Sequence, residues 1–149
     1  QIKIMPINFP LLCSTFFYVG KFKYAPGTMA SLLTLIIWAV IGPEDLLLRS
    51  VIMLLLILIG FISTKMSLQF FEEKDPQAIV IDEVIGMSIP LLLITDIVGM
   101  LLAFILFRIL DILKPSIIYY SQNYKDEYGI LLDDIIAGFC VLLLLIRYI

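Results

Sequence analysis

The sequence predicts an all-α fold, a small polytopic helical membrane protein with about five short hydrophobic helices and an N-terminal interfacial segment. Three observations predict it. Of 149 residues, 62% are hydrophobic and 15% charged, with mean hydropathy +1.09; soluble domains are about 45–50% apolar and about 25% charged, so the surplus calls for lipid. The apolar residues come in separate runs divided by short charged turns. Within those runs, stretches such as Met53 to Ile59 are apolar on all sides, as lipid-facing helices are. The length makes one domain over residues 1–149 the expectation.

Taken in order, Phe9 to Gly20 is apolar but short, follows Pro6 closely and has no small-residue cleavage site after it. It reads as an interfacial or re-entrant segment near the headgroups. The long runs are Thr28 to Gly42, Leu46 to Ser63 with Arg49 near its start, Ala78 to Ile94, Ile97 to Leu113, and Asp133 to Ile149. Each measures roughly 22–27 Å as a helix, marginal against the about 20 residues of a full span. Pro90 falls inside the third run, where a kink is expected.

Laid out as a simple alternation, these runs collect Lys3, Lys21, Lys23, Lys65, Lys74, Arg108, Lys114 and Lys125 on one side, and Arg49 and Arg147 on the other. The positive-inside rule makes the first side cytoplasmic. The acids partition the same way: of 13, only Glu44, Asp45 and Asp96 fall on the second side. Net charge is −3, so no basic surface points to nucleic acid. Cys13 and Cys140 lie far apart in apolar runs and form no zinc pattern.

Four constellations carry chemistry. In Asp75-Pro-Gln-Ala-Ile-Val-Ile-Asp-Glu-Val-Ile-Gly86, Asp75-Pro76 reads as a helix start. Asp82 and Glu83 then lie two turns in, among apolar neighbours. Acids there are costly to bury unless a divalent cation compensates, although a solvated acidic helix start is the plain alternative. Gly86, four residues after Asp82, would let another helix or a substrate come close.

In Phe107-Arg-Ile-Leu-Asp-Ile-Leu-Lys-Pro115, Arg108, Asp111 and Lys114 recur at spacings of three, so neighbours share a helix surface. The arginine fork and the lysine charge suit phosphate oxygens. Asp111 serves either as a metal ligand or as a tether for Arg108, and a salt-bridged helix end is the bland reading.

Tyr128-Gly-Ile-Leu-Leu-Asp-Asp-Ile-Ile-Ala-Gly138 repeats the pattern of an acid pair followed by a small residue. Asp133 and Asp134 are candidate ligands, or a helix start with ordinary caps. Two such motifs on one predicted side, with a basic helix end between them, point to a hard-metal site of Mg²⁺ type with oxygen ligands. Last, Lys21-Phe-Lys-Tyr-Ala-Pro-Gly-Thr28 places Thr28 as N-cap of the first long helix. The amides of that helix start, with Lys21 and Lys23, would hold a phosphate; a capped loop is the alternative.

Absences narrow the reaction. The chain has no His, which excludes phosphohistidine and Ser–His–Asp mechanisms. No Cys-x5-Arg loop, Asp-x-Asp motif or Gly-x4-Gly-Lys-Ser/Thr loop occurs. Metal-assisted attack by water, or attack by a carboxylate, is what remains.

Four blocks in this order resemble the phosphatidylglycerophosphatase A family: Ala25-Pro-Gly-Thr28, Asp75-Pro with Ile79-Val-Ile-Asp-Glu-Val-Ile-Gly86, Phe107-Arg-Ile-Leu-Asp-Ile-Leu-Lys-Pro115, and Gly129-Ile-Leu-Leu-Asp-Asp-Ile-Ile-Ala-Gly138. They span nearly the whole chain. The resemblance implies a Mg²⁺-dependent phosphatase of the bacterial inner membrane, multi-pass, with its site facing the cytoplasm. It implies conversion of phosphatidylglycerophosphate to phosphatidylglycerol and inorganic phosphate, and an all-helical fold whose relatives include soluble helical proteins. The functional positions it implies are Asp82, Glu83, Arg108, Asp111, Lys114, Asp133 and Asp134, with Asp75 a further candidate. Ser116-Ile-Ile-Tyr-Tyr-Ser departs from the family's Trp-Pro-Ile continuation, and Asp126-Glu-Tyr-Gly129 from its glycine-rich approach.

On this reading Asp82, Glu83, Asp111, Asp133 and Asp134 supply oxygens to one or two Mg²⁺ ions, and Arg108 and Lys114 hold the phosphate. The assignment of metal ligand against base stays open, as does oligomeric state. The rivals are an ion or proton transporter, which needs acids at mid-membrane, and a scaffold whose acid pairs are only caps.

Overall fold

The computed structural model describes residues 8–71, 78–113 and 127–148, and these contain helices but no strand. The order is α1 (Phe9–Ser14), a 3-10 turn (Val19–Lys21), α2 (Pro26–Ile41), α3 (Leu46–Ser67) running into a second 3-10 turn (Leu68–Phe70), α4 (Ile81–Leu91), α5 (Ile97–Leu113) and α6 (Glu127–Leu145).

Several helix ends differ from the sequence expectation, each for a local reason. Helix α2 begins at Pro26, the residue pre-set for a first helical position. Ala25 turns into it with φ 43°, so Thr28 sits inside the first turn and does not cap it. Asp45 does cap α3, its Oδ2 accepting the Leu48 N–H at 3.2 Å.

Helix α4 starts at Ile81, not at Asp75-Pro76, and residues 78–80 are non-helical. The Val80 N–H donates to Ser14 O at 2.9 Å, across to the end of α1, where a longer helix would have bonded it upstream. Asp82 and Glu83 therefore occupy the first turn of α4 and not its third. The reverse holds for α6. It begins at Glu127, which puts Asp133 and Asp134 nearly two turns inside it instead of at its start. Pro90 does not kink a long helix; α4 ends one residue later, at Leu91.

Helix α4 is the centre of the bundle. Every one of its residues except Glu83 is buried, with α2, α3, α5 and α6 packed around it. The closest approach is to α6, at glycines. A Cβ on Gly86 would lie 2.5 Å from Asp134 O and 2.8 Å from Phe107 Cε2, and one on Gly138 would strike Gly86 O. Pro90 lacks the N–H that Gly86 O would otherwise accept from. The freed carbonyl points at the α-hydrogen of Gly138, an arrangement for a weak Cα–H···O contact.

Contacts also give the helix directions. Gly27 meets Glu83, and Trp38 meets Ser88, so α2 and α4 run alike. Asp82 meets Asp134, and Gly86 meets Gly138, so α6 runs with them. Gly60 packs on Ile85 while Arg49 bonds Leu91 O, and Phe107 packs on Gly86 while Gly99 packs on Ile94, so α3 and α5 run oppositely. This is the alternation drawn from the apolar runs, and it gathers Asp82, Glu83, Arg108, Asp111, Asp133 and Asp134 towards one end of the bundle.

The opposite end is closed by Arg49, 4% exposed, which donates to Pro43 O and to Leu91 O (2.6 Å) and lies over the Trp38 ring. The Leu91 carbonyl ends a helix, where a cation is favoured. In the turn before α5, Asp96 Oδ2 accepts from the Gly99 N–H (2.8 Å) and the Tyr148 hydroxyl (2.9 Å).

Helix α3 is polar inside and apolar outside. Ser63, Thr64 and Ser67 are buried, while Leu47, Leu54, Leu58 and Ile62 are more than half exposed. Among the described residues, Leu46–Phe70 is the one helix long and apolar enough to cross a membrane, with Pro26–Ile41 apolar but shorter. The expectation of five spans is met on that measure by one helix among the described residues: α2 and α5 have 16 and 17 residues, and α4 shrinks to 11 and fills the core. The N-terminal segment is fastened to the bundle. Leu11, Ser14 and Thr15 are buried, Ser14 Oγ donates to Ser67 Oγ at 2.8 Å, and Gly20 lies against the Ala78 carbonyl.

Two outcomes follow. Gly138→Val is expected to destabilise the protein by about 1–3 kcal/mol, because the new side chain meets backbone; thermal unfolding in detergent, with outward-facing Leu143→Val as the unaffected control, checks this. The Gly99 N–H, then the Tyr148 hydroxyl, hold the Asp96 carboxyl below its ordinary range. A lowered folded value means stability that is complete above the ordinary aspartate range and lost as pH falls through the folded one. Asp96→Asn should flatten that acid limb in a pH series of Tm values.

Candidate carboxylate-rich active site

Where α4 and α6 cross, Asp82, Glu83 and Asp134 offer carboxylate oxygens that all lie within 4.8 Å of one another. Helical geometry explains why these three meet. Asp82 and Asp134 each stand four residues before a crossing glycine and so share its face; Glu83 stands three before. Asp133 is five before Gly138, so although 8% exposed and buried beside the others, it lies outside the triad.

The triad is nearly dry. Asp82 is 7% and Asp134 3% exposed, and Asp82 Oδ1 and Glu83 Oε2 are buried without a hydrogen-bond partner. Taking each ionised carboxylate from water costs several kcal/mol, and neighbouring like charges add to it. The first-turn N–H groups of α4 offset only part, about 0.3–1 kcal/mol per charge. Converging carboxylate oxygens, two of them with no hydrogen-bond partner, are the donor set that a hard divalent cation takes. The residues therefore fit such an ion.

Helix α5 brings the counter-charge. Phe107, fully buried against Gly86, anchors it. Arg108 Nη1 then pairs with Asp111 Oδ2 at 2.6 Å, three residues on. Asp111 lies within electrostatic reach of Glu83 and Asp134, and Arg108 within reach of Glu83. Arg108 Nε is buried with no partner, a donor left for a ligand.

Helix α2 contributes a space. A Cβ at Gly27 would lie 2.5 Å from Glu83 Oε1 and 3.4 Å from Arg108 Nη1, so a side chain there would crowd the Glu83 carboxylate. The sequence treated Ala25-Pro-Gly-Thr28 as a phosphate-holding helix start and did not single out Gly27; the block itself was the signal.

The other expected site residues stand apart. Thr28 is half-buried in the first turn of α2, and Lys21 is exposed with its ammonium over the Tyr18 ring at 4.9 Å. Neither is joined to the carboxylates by a hydrogen bond or ion pair among the described residues. Asp75 and Lys114 lie outside the described residues.

The fold and site define a helical bundle with a buried carboxylate triad next to a guanidinium at one end. The sequence matches the family profile described as PgpA: Phosphatidylglycerophosphatase A over residues 12–148. It is 34% identical over 122 residues to the Escherichia coli protein named "Phosphatidylglycerophosphatase A", covering 80% of this chain and 71% of that one. Identity is 32% to the Haemophilus influenzae protein of the same name, over 91% of this chain and 86% of that one. A Bacteroides thetaiotaomicron protein named "Putative phosphatidylinositol-3-phosphatase" is 34% identical, over 89% of each chain. No solved structure matches. This chain belongs to the phosphatidylglycerophosphatase A family.

Because the triad concentrates charge, Asp134→Asn is expected to raise the stability of the metal-stripped protein by about 0.5–2 kcal/mol, as relief of a functional site does. Thermal unfolding in chelator reads this; a lowered Tm would mean that the carboxylates are held by the fold for packing.

Proposed function

We propose that the protein is a phosphoric monoester hydrolase that converts phosphatidylglycerophosphate to phosphatidylglycerol and inorganic phosphate at a membrane surface. The observation that carries the reading is the convergence of Asp82, Glu83 and Asp134 beside Arg108, with Asp82 Oδ1 and Glu83 Oε2 buried and unpartnered, in a chain of this family. The relatives so named come from bacteria, which fits a place in the bacterial inner membrane.

Asp82, Glu83 and Asp134 would hold Mg²⁺, with Asp111 next to them and Asp133 and Asp75 as further oxygens. When bound, the ion neutralises the carboxylates and draws charge from the phosphoryl oxygens. Arg108, tethered by Asp111, offers its guanidinium edge to those oxygens, and Lys114 adds a second positive charge on the same sequence spacing. A carboxylate of the cluster takes the proton of the attacking water. The water oxygen bonds to phosphorus as the bond from phosphorus to the glycerol oxygen breaks, and the protonated carboxylate returns its proton to that leaving oxygen. The apolar exterior keeps the acyl chains with lipid, and the lysines and Arg108 at the acid end favour a cytoplasmic orientation with several helices embedded.

The Bacteroides relative's name favours a second substrate, a phosphoinositide carrying a 3-phosphate. Purified protein should release phosphate from phosphatidylglycerophosphate in Mg²⁺, faster than from phosphatidylinositol 3-phosphate. Excess chelator or Asp82→Asn should cut the rate by about two orders of magnitude. Undiminished turnover in chelator would remove the metal assignment, and a preference for the inositol lipid would change the substrate.

A further inference from the structure

Although α2 and α3 follow each other in the chain, they barely touch among the described residues. Between them runs a groove of about 250 Å³ floored by α4. Helix α2 lines it with Thr34 and Trp38, α3 with Leu56, and α4 with Val84 and Ser88; Phe16 and Pro43 line it as well.

Its chemistry is that of a hydrocarbon site. No charged side chain lines it. The three polar groups in its wall are already satisfied: Thr34 Oγ1 donates to Ala30 O at 2.7 Å, Ser88 Oγ to Val84 O at 2.6 Å, and Trp38 Nε1 to Ser88 Oγ at 2.9 Å. A polar occupant would lose its hydration and find no free donor among these side chains.

Its placement ties it to the carboxylates. Gly27, Thr34 and Trp38 are spaced seven and four apart and so share one face of α2. The first touches Glu83, and the other two line the groove. Val84, on its floor, is the residue after Glu83. The groove thus leads from the acid end of the bundle towards the opposite end, along the direction an acyl chain takes from its headgroup.

We propose that this groove takes one acyl chain of the lipid whose phosphate is hydrolysed, drawing it out of bulk lipid and holding the headgroup in register with Glu83. The inference rests on the hydrolytic reading above and adds the means by which a two-tailed lipid is recognised.

Trp38 is the only tryptophan in the chain, so its fluorescence reports the groove alone. The protein is placed in phosphatidylcholine nanodiscs with chelator, and phosphatidylglycerophosphate carrying dibrominated acyl chains is titrated in. Quenching should saturate at a severalfold lower mole fraction than with equally brominated phosphatidylcholine. Leu56→Phe, which fills the groove, should remove that excess and raise KM for the long-chain substrate severalfold; Leu58→Phe, turned away from this groove, should do neither. Equal quenching by both lipids would mean that Trp38 meets only bulk lipid, and would overturn the proposal, as would quenching indifferent to Leu56→Phe. Should that variant not fold, the wild-type comparison still decides. Excess quenching without phosphate release would sink the hydrolytic reading instead.

Discussion

The site depends on one contact, the packing of Gly86 against Gly138. Any larger residue at either place would push α4 from α6, and Asp82 would leave the reach of Asp134. Pro90 takes part at a distance, because it frees the carbonyl that the approach uses. Three residues without polar side chains thus set the spacing of the three carboxylates. Phe107 joins at the same crossing and brings α5, so the guanidinium of Arg108 arrives by the same piece of packing.

The distribution of polarity is the second constraint. Helix α3 turns Ser63, Thr64 and Ser67 inward and leucines outward, and α4 buries Asp82 in its first turn. In water such a chain would expose its apolar face at a cost of about 25 cal/mol per Å²; beside lipid that cost vanishes. The interior can then be spent on groups that need a dry setting, where charge interactions gain strength. Arg49 at the far end is balanced by carbonyls of the chain, and the triad at the near end is open to a ligand.

Much of this was legible in the residues. The run boundaries gave the helices and their alternating sense, and the repeated acid-pair-to-glycine spacing anticipated the crossing. What misled was local punctuation. Asp75-Pro76 has the look of a helix start, but α4 begins at Ile81 because the Val80 N–H is engaged by Ser14, a partner no sequence window contains. Asp133-Asp134 has the look of caps, yet α6 begins at Glu127, through Gly129. Thr28 was displaced from the cap by Pro26. The block holding Gly27 was visible, but its role was not, because that depends on the Glu83 side chain of another helix.

The seating of α1 has a bearing on how the chain matures. Ser14 reaches Ser67 across 53 positions and then Val80, so the opening segment leaves the ribosome long before the surfaces that receive it exist. Until α3 and the approach to α4 are synthesised, its hydroxyls must remain hydrated or pair within its own turn, as Thr15 does with Leu11. Capture of that waiting segment is a late, long-range closure of the kind that slows assembly. A lesion in α1 would therefore show itself as delayed seating of the first turn of α4, which Ser14 holds through Val80.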